Sequence, residues 1–598
     1  MIRFSSFFFA ALALALFLLT SAPGIGTEDS GELATGARLL AMVHAPGYPL
    51  YLLLGRLAAA LSLYPGRGLV LLSVVAGAAT VGLFHFIVKR ELDETSAAIA
   101  AVSLIFCRGF WMAATEVEVY TIQSLLLTGL LGSLLQLKNH PGSGKAKRLL
   151  GFLTGLTLAH HMGLTILLPA IALFVGCTAR GDLRDWSRAA GNGIAGVALY
   201  GALPLLSTRA GIAYIAWDPI RSFPQLLNVM GGAGFRKLLF AVPPDQALLN
   251  LGHFPFALAI WFPYLSIPLA VAGMWTGYRR MRAFTVLILA WIGITILHAA
   301  NYNVLDPERF LLPAVVPFAW LSGVGFHHLS RRHVLGVEAR VFLVTALLAT
   351  GMAGRLADGN FFATAYDTMP TDVARAVLRS HESRPESQVI WTDWRFYPTL
   401  RYFQLVDGLG RNVLLDFDST SESPGSVYLP GRTWTMRASP ELGSQYALIM
   451  DDLQWHVMPK GHAATVPVDP GDPRIDERIG GIRVEQIEWP ANVTPGEPIR
   501  ANITFRRDTM PAADTVTGML VLRRRGHVRM STPLSLLHWN TAPQDLDPAK
   551  QYSEPVQTII PTSHADEKDD SFTLELRLTT SLEKRIIPLG RIRLNSGR

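Results

Sequence analysis

Cysteines and charged residues are both scarce in this chain of 598 residues. Asp, Glu, Lys and Arg make up 17% of it, against roughly 25% in ordinary soluble proteins. The two cysteines, Cys107 and Cys177, lie in or beside apolar runs and in no metal-ligand spacing. This usage implies neither a disulfide framework nor a zinc site.

Apolar residues are abundant instead, since half of the chain is hydrophobic. They concentrate in residues 1–355 and thin out afterwards, which predicts a membrane domain followed by a soluble part. The net charge is +7. Many of the Lys and Arg residues lie in short loops between apolar runs, so this charge favours orientation in the membrane over binding of nucleic acid.

The apolar runs predict about eleven transmembrane helices, because a spanning helix needs about 20 largely apolar residues. The first run, Met1–Ala22, resembles a signal peptide, but many spans follow it, so we expect an uncleaved first helix. Two short runs, 149–160 and 163–178, could pack inside the bundle rather than cross singly. The other predicted runs are 68–88, 95–112, 118–137, 190–207, 256–275, 283–300, 309–328 and 341–355.

The basic residues predict an orientation for these spans. With the N-terminus in the cytoplasm, alternating loops on that side carry basic clusters such as Lys89–Arg90 and Arg331–Arg332. The opposite loops hold fewer Lys and Arg residues, as the positive-inside rule requires. We therefore expect an integral membrane protein, in the inner membrane if the cell is bacterial. The segments 23–67, 208–255 and 301–308 and the C-terminal domain are then extracytoplasmic.

The first predicted outer segment, TEDSGELATGARLLAMVHAPGYPLY at 27–51, is rich in ionisable residues. Asp29 and Glu32 stand three residues apart. If Asp29 or Ser30 caps a helix, both carboxylates lie near its N-terminus at the membrane surface. Spacing alone favours such a capping pair over a catalytic one. His44 could bind a phosphate or cap a helix end.

More ionisable or polar side chains stand at the predicted outer ends of spans. Such residues are costly at this depth unless they pair or face a cavity. A structural ion pair of the acidic residues with Arg108, packing histidines, and a pair of Arg309 with Asp306 or Glu308 all stay open as alternatives to ligand binding. The candidates are Glu116, Glu118, Tyr120, His160, His161, Asp306 and Arg309.

The soluble part divides into an α/β segment at 356–470 and a β-sandwich at 471–598. In the first, Gln388–Trp391, Phe396–Asp407 and Asn412–Leu415 predict a strand, a helix and a strand. Asp393 and Trp394 follow the first of these strands, where ligand sites of α/β folds form, although a capping role for Asp393 is favoured.

The last 128 residues alternate polar and apolar side chains between Pro and Gly connections, for example in GIRVEQIEW and SFTLELRLTT. This pattern predicts an antiparallel sandwich. Sandwich modules of this kind bind sugars or proteins, and the shape alone does not choose between them.

Several motifs together resemble the protein O-mannosyltransferase-like membrane family of the GT-C superfamily. They are DSGE at 29–32, HAPGYPLY at 44–51 with LGR after it, Glu118-Val119-Tyr120, GLTLAHH at 155–161 and NYNVLDPERFLLP at 301–313. The resemblance covers roughly residues 1–410. The resemblance implies a GT-C-like polytopic α-helical fold. It also implies a lipid-linked donor, because members of that superfamily use polyprenyl-phosphate or polyprenyl-diphosphate sugars.

The resemblance also implies roles for individual residues. Asp29 would be the catalytic acidic residue with Glu32 as helper or runner-up, and His44 and Tyr48 would line the donor pocket. Apart from the resemblance, the position of the remaining candidates at span ends points to the same donor or acceptor site, and Arg309 is the candidate for the lipid phosphate because a cation would stabilise the departing group. The expected function is transfer of a sugar, with mannose favoured, from the lipid carrier to a hydroxyl of a protein, glycan or lipid.

Two other classes of function stay open. A transporter or flippase of lipid-linked sugars predicts charged residues deep in mid-span and often repeat symmetry. A non-enzymatic envelope assembly factor predicts that Asp29 and Glu32 are dispensable. No metal-ligand spacing is compelling, so a requirement for a divalent metal stays open, and the lipid-linked donor is the cosubstrate that we expect.

Overall fold

The computed structural model divides the chain into two compact units. The first comprises Met1–Gly24 and Leu33–Ala365, and the second comprises Ile25–Glu32 and Tyr366–Arg598. The predicted boundary between an α/β segment and a sandwich at residue 470 stays a prediction. The structure describes residues 2–180, 183–208, 219–232, 234–304, 306–332, 336–357, 367–384, 386–417, 427–436, 442, 445–451, 453–459, 466–468, 477–479, 481–490, 492–494, 498–508, 517–524, 527–533, 551–559, 571–579 and 584–594.

The first unit is helical. Its α-helices are α1 Ile2–Thr20, α2 Asp29–Leu39, α3 Pro49–Leu61, α4 Pro65–Glu91, α5 Glu94–Ile105, α6 Arg108–Thr115, α7 Tyr120–Asn139, α8 Gly144–His160, α9 Leu168–Thr178, α10 Leu183–Val197, α11 Leu203–Ser207, α12 Phe223–Met230, α13 Pro244–Ile260, α14 Ser266–Arg280, α15 Arg282–Ala300, α16 Val315–Arg332 and α17 Val337–Ala357. Short 3-10 helices lie at Met162–Leu167, Ala198–Ala202, Arg236–Leu238 and Pro307–Ala314. The first four residues of α2 belong to the second unit.

Several of these helices are long and apolar enough to cross a membrane. Within the described residues there are six such segments: Gly66–Glu91, Tyr120–Asn139, Leu183–Ser207, Arg282–Ala300, Pro307–Arg331 and Val337–Ala357. A seventh results if α5 and α6, bent by 64° to each other, form one span. Shorter apolar helices lie at Phe4–Thr20, Pro49–Leu61 and Met162–Thr178. The polytopic helical class is confirmed, while the number eleven stays a prediction.

Two runs that the sequence presents as continuous are broken. The run 256–275 contains the end of α13 and the start of α14, and the run 95–112 contains the break between α5 and α6. Pro263 explains the first break, because proline lacks an amide hydrogen and disfavours a helical residue before it.

The two breaks contact each other. The amide of Arg108, at the start of α6, donates to the carbonyl oxygen of Trp261 at 2.7 Å. A β-carbon on Gly109 would lie 2.4 Å from the indole ring of Trp261, so only glycine fits there. Each break therefore helps to satisfy the backbone of the other, as a membrane environment demands.

Small residues let helices α8 and α10 pack closely. A β-carbon on Gly151 would lie 2.0 Å from the carbonyl oxygen of Ala189, and one on Gly155 would lie 2.0 Å from that of Gly193. Such close backbone approach through glycines is typical of membrane helix pairs.

The second unit begins with an α/β sheet of five strands in the order β2-β1-β3-β5-β4. The strands are β1 Gln388–Thr392, β2 Val413–Phe417, β3 Thr433–Thr435, β4 Tyr446–Asp451 and β5 Gln454–Pro459, and the helices are α18 Met369–Glu382 and α19 Tyr397–Tyr402, which continues as a π-helix at Phe403–Asp407. Strands β1 and β2 pair in parallel across the α19 connection. This confirms the strand, helix and strand predicted for 388–415.

The described strands between residues 466 and 594 form a sandwich of two five-stranded sheets, β6-β13-β10-β8-β7 and β12-β11-β14-β15-β9. Phe505 of one sheet and Leu576 of the other are fully buried in a single hydrophobic core, which confirms the predicted sandwich. The strands are β6 Val466–Val468, β7 Glu477–Ile479, β8 Ile482–Glu488, β9 Asn492–Val493, β10 Pro498–Arg507, β11 Thr517–Arg524, β12 His527–Pro533, β13 Gln551–Ile559, β14 Ser571–Thr579 and β15 Lys584–Leu594.

Candidate active site

An ion network around Arg309 lies in the first unit. Its Nη1 donates to Glu118 Oε1, and its Nε lies 2.6 Å from Asp306 Oδ2. The Glu118 side chain is 7% exposed and that of Arg309 is 35% exposed. The predicted pairing of Arg309 with Asp306 therefore exists, and Glu118 is a second partner. Glu308 is near His253 instead, with its Oε1 3.5 Å from His253 Nε2.

The backbone of Glu118 is fixed by a buried serine in helix α4. Ser73 Oγ donates to the carbonyl oxygen of Glu118 at 3.2 Å and accepts from its amide at 3.3 Å. Glu118 stands in the short connection between α6 and α7. The serine thus sets the position of the carboxylate that holds Arg309.

Tyr51 of α3 is a further neighbour of Glu118. It is fully buried and lies within electrostatic reach of the Glu118 carboxylate. Its hydroxyl has no hydrogen-bond partner among the described residues.

The HAPGYP motif forms a tight turn that presents two aromatic rings. Gly47 and Tyr48 both have positive φ, 89° and 41°, and Pro49 occupies the first turn of α3, where proline is favoured. His44 Nε2 and the Tyr48 hydroxyl lie 3.2 Å apart. Leu203 packs over Gly47, with its Cδ1 2.7 Å from where a β-carbon would stand.

The histidines of GLTLAHH join this turn to the Arg309 network. The Tyr48 ring lies edge-on to His161 and His160, with centroids 5.5 and 6.4 Å apart. His160 Nε2 lies 2.9 Å from the carbonyl oxygen of Val119, the residue after Glu118. The buried His160 therefore has a structural contact, in agreement with the alternative of a packing histidine. It also connects the HAPGYP turn to the Arg309 network.

A small cavity of about 20 Å³ lies beside both groups. Its polar lining residues come from three segments: Tyr120 and Gln123 of α7, His161 after α8, and Thr295 and His298 of α15. Tyr120 also lies within electrostatic reach of Arg309.

The loop before Asp306 adds a neutral phenol. Tyr302 lies against the ring of His298, with centroids 5.2 Å apart, and against Phe310 at 4.7 Å. Burial raises the pKa of Tyr302 to about 12. Its hydroxyl therefore stays protonated at neutral pH and can donate a hydrogen bond.

Asp29 belongs to the second unit, where an indole holds it. Trp394 Nε1 donates to Asp29 Oδ1 at 2.6 Å. Two contacts brace the segment before it: the Glu28 amide donates to the carbonyl oxygen of Arg395 at 3.0 Å, and Thr399 Oγ1 donates to that of Gly26 at 2.8 Å.

The glycine of DSGE makes this contact close. A β-carbon on Gly31 would lie 2.5 Å from the Thr399 nitrogen and 2.6 Å from the Pro398 carbonyl carbon. Both acidic residues of the motif lie in the first turn of α2, as the sequence predicts. The Asp29 carboxylate binds an indole across the unit, an arrangement that the spacing did not indicate.

Glu32 is fully buried in the same unit. Burial raises the pKa of Tyr397, the charges of Asp416 and Glu32 raise it further, and Arg401 opposes them. Asp393 Oδ1 accepts a hydrogen bond from the Arg395 amide at 3.0 Å, so the favoured capping role of Asp393 is present. That turn aims Trp394 at Asp29.

The structure thus groups most of the predicted site residues, each within its own unit. The first unit brings together eight of them with Glu116, which lies within electrostatic reach of Arg309. Those eight are His44, Tyr48, Glu118, Tyr120, His160, His161, Asp306 and Arg309. Asp29 and Glu32 lie in the second unit. Gln123, Thr295 and Tyr51 were missed, although polar residues inside apolar runs signal a cavity or partner.

Comparison with known proteins places this geometry in context. Residues 29–182 match the family described as the Protein O-mannosyl-transferase TMEM260 N-terminal domain. Protein O-mannosyl-transferase TMEM260 of Mus musculus is 34% identical over 131 residues, which cover 21% of this chain and 18% of that protein. The match therefore spans less than a fifth of the relative's length.

Among solved structures, ArnT from Cupriavidus metallidurans in the apo state is similar with a TM-score of 0.50 and 13% identity, over 75% of this chain and 97% of that chain. ArnT bound to undecaprenyl phosphate gives a TM-score of 0.47 and 13% identity, over 66% and 84%. At this identity the apo structure supports the fold alone. The family match confirms the resemblance to the O-mannosyltransferase-like family for residues 29–182, and the apo ArnT structure supports the polytopic fold.

Proposed function

We propose that this integral membrane protein is a glycosyltransferase that moves a sugar from a polyprenyl-phosphate carrier to an acceptor hydroxyl. The observation that carries the proposal is the convergence on Arg309 of residues from separate motifs, most of them within the segment that matches the TMEM260 family. Mannose is the favoured sugar, because the relative is named an O-mannosyl-transferase.

The reaction needs a cation or donor for the leaving phosphate and a base for the acceptor. The acceptor oxygen bonds to the anomeric carbon of the sugar while the bond from that carbon to the phosphate oxygen breaks. The carrier phosphate leaves with the electron pair, and the acceptor proton goes to the base. We assign the phosphate to Arg309, because a guanidinium has five donors in a planar fork that fits phosphate oxygens.

Arg309 suits this task because it is held and still reachable. Glu118 and Asp306 fix the guanidinium from two sides, and its side chain keeps 35% exposure. A prepositioned cation need not reorganise as charge develops on the leaving group. The fold supplies a precedent, since ArnT, which shares it, has been solved with undecaprenyl phosphate bound.

We assign the base to Asp29. One carboxylate oxygen accepts the indole hydrogen bond of Trp394, which orients the group. The second oxygen is the atom that we assign to the acceptor proton. Glu32, buried in the first turns of the same helix, is the helper and the alternative base.

The test uses the full chain purified in detergent, with radiolabelled undecaprenyl-phosphate mannose, the glucose analogue and other sugars. Donor binding and donor consumption are measured for wild type and for Asp29→Asn. The control is Asp407→Asn, the same change at a residue that pairs with Arg375 at 3.3 Å. We expect Asp29→Asn to bind donor and lose turnover, and the control to keep both.

Other results would redirect the proposal. Normal turnover by Asp29→Asn would exclude it as base and move the role to Glu32, tested as Glu32→Gln. A wild type that binds donor and moves it across vesicles without hydrolysis or transfer would indicate a flippase. A wild type that neither binds nor consumes any donor would favour the hypothesis of a non-enzymatic assembly factor. EDTA, followed by Mg²⁺ or Mn²⁺, tests the metal requirement in the same assay.

We also propose that the N-terminus is cytoplasmic and that the C-terminal domain is extracytoplasmic, because the predicted cytoplasmic loops carry the basic clusters. Single cysteines at Lys145 and at Arg585, in a variant that lacks Cys107 and Cys177, test this with an impermeant thiol reagent. Labelling of the second site alone in intact cells is expected, and the reverse pattern would invert the topology.

A further inference from the structure

Residues 275–282, where helix α14 ends and helix α15 begins, form a basic turn far from Arg309. Helix α7 begins at Tyr120, within electrostatic reach of Arg309, and its last turn lies beside the basic turn, with Lys138 Nζ 3.7 Å from Met281 Sδ. Helix α7 has 20 residues, and a helix of that length is about 30 Å long, enough to cross a bilayer. The basic turn and the ion network therefore lie at opposite ends of a membrane span.

The basic turn carries three exposed arginines, and two of them lie over aromatic rings. Arg279 Cζ is 4.2 Å from the centroid of the Trp275 ring, and Arg282 Cζ is 5.2 Å from that of Tyr278. Arg280 is the third. Contact with a ring helps to hold a guanidinium in place but brings no net negative charge. Within the described part of the chain, none of the three arginines forms an ion pair.

Helix α16 brings a fourth cation to the basic turn. Arg280 and Arg331 both lie within electrostatic reach of His328. A β-carbon on Gly273 would lie 1.9 Å from the carbonyl oxygen of Leu321, so α14 and α16 are in backbone contact. This close packing holds the cations near one another, although like charges repel.

Two neighbouring carboxylates are paired with other groups. Glu91 accepts hydrogen bonds from Lys138 and from Asn139, and Asp93 pairs with His327. Neither carboxylate neutralises the arginines of the basic turn. A bound anion would relieve the repulsion among these arginines, so the charge distribution favours an anionic ligand.

An apolar stripe leads from the basic turn along one side of α14. Val271, Trp275 and Tyr278 are four and three residues apart, so they share one side of the helix. Their side chains are 55%, 62% and 43% exposed, and exposed Trp and Tyr residues are typical of the membrane interface. The stripe fits an acyl chain, while the arginines at its end fit a phosphate. A small soluble anion would use the arginines alone.

We propose that the basic turn and this stripe bind an anionic phospholipid, with Arg279 and Arg282 on its headgroup phosphate. A guanidinium has donors in a planar fork that matches phosphate oxygens. A zwitterionic lipid carries the same phosphate, but its ammonium group would be repelled by the clustered arginines. The inference is independent of the proposed transfer reaction, because the basic turn lies at the other end of the span from Arg309.

The test compares phosphatidylglycerol and phosphatidylcholine with the same acyl chains. Their dissociation constants are measured by native mass spectrometry of the full-length protein in detergent, and we expect the wild type to prefer phosphatidylglycerol. Each Lys or Arg near a membrane surface contributes roughly fivefold to the binding of anionic lipid. Arg279→Gln with Arg282→Gln should therefore lower the preference by about tenfold or more. Trp275→Leu with Tyr278→Leu, which keeps the stripe apolar but removes the rings, should lower it by a smaller factor.

Two controls isolate the basic turn and the lipid. Arg184→Gln with Arg188→Gln makes the same change of charge at two exposed arginines of α10, on the same predicted side of the membrane. This variant should keep the preference for phosphatidylglycerol. An excess of inorganic phosphate should fail to displace phosphatidylglycerol from the wild type, because inorganic phosphate cannot use the apolar stripe.

Four results would overturn the inference. Equal affinity of the wild type for the two lipids would show that the headgroup charge is not recognised. Equal loss of preference in the two arginine variants would assign the effect to total charge rather than to the basic turn. An unchanged preference in Arg279→Gln with Arg282→Gln, or an equal loss of both lipids, would remove these arginines from the headgroup. Displacement by inorganic phosphate would indicate an anion site that does not recognise lipid.

Discussion

Two carboxylates, Glu118 in the first unit and Asp29 in the second, are held in different ways. Glu118 is buried against a guanidinium, and its backbone is fixed by Ser73. Asp29 is held by a neutral indole hydrogen bond. A carboxylate committed to a cation is a poor proton acceptor, whereas one that is only oriented keeps its capacity. The comparison supports our proposal that Glu118 positions Arg309 and that Asp29 is the base.

The largest effect should follow removal of the Asp29 charge. Asp29→Asn keeps the size and the acceptor oxygen for Trp394, so donor binding should persist while kcat falls by roughly 10²–10⁴-fold, the usual contribution of a general base. Glu118→Gln should by contrast weaken donor binding. Turnover at saturating donor, measured for both variants, checks the contrast. Equal loss of kcat in Asp29→Asn and Glu118→Gln would contradict the proposed difference between the two carboxylates.

The next effect is on stability. Arg309→Ala leaves Glu118 buried without its cation, a change that costs roughly 3–5 kcal/mol for fully buried pairs. Because Arg309 keeps 35% exposure, we expect the lower end of that range. Thermal unfolding in detergent measures it.

A second change tests the cause of that loss. The double variant Arg309→Ala with Glu118→Gln should recover part of the stability, since the buried charge is removed. A double variant as unstable as the single one would mean that lost packing, rather than an unpaired carboxylate, causes the effect.

The sequence predicts the parts of this arrangement that depend on local pattern. Hydropathy predicts the spans because a bilayer requires apolar length, and alternation predicts the sandwich strands. The break at Pro263 could be predicted from the proline. The break at Cys107 could not, because it depends on a contact with Trp261 from far along the chain.

In the candidate site too, the sequence predicts individual residues but not the contacts between distant ones. Each of Glu118 and Arg309 could be nominated from its place at a span end, yet they are 191 residues apart, and pattern alone does not pair them. Gln123 lies inside an apolar run and was passed over, although a polar side chain there is the local sign of a cavity. From the sequence Trp394 is only a residue that follows a strand, since no spacing links it to Asp29.

A smaller effect is expected at Gly31, which sets how closely the Asp29 segment packs in the second unit. Gly31→Ala would bring a β-carbon within 2.5 Å of the Thr399 nitrogen, and overpacking of this kind costs roughly 1–3 kcal/mol. We expect lower stability and lower kcat together. Gly142→Ala is the matched control, since its β-carbon would meet nothing within 4 Å. Unchanged stability and unchanged kcat in Gly31→Ala would mean that the segment shifts at little cost and does not fix the position of Asp29.

The smallest expected change isolates the indole hydrogen bond itself. Trp394→Phe keeps a ring but removes the donor to Asp29, so kcat should fall by roughly tenfold through loss of orientation while the KM for donor stays unchanged. Trp391→Phe is the matched control: that indole donates to the Val427 carbonyl oxygen at 2.7 Å, so its loss should affect stability and leave kcat alone. If Trp394→Phe and Trp391→Phe change stability and kcat in the same way, the Trp394 hydrogen bond stabilises the fold only. Asp29 would then be held no more specifically than Glu118.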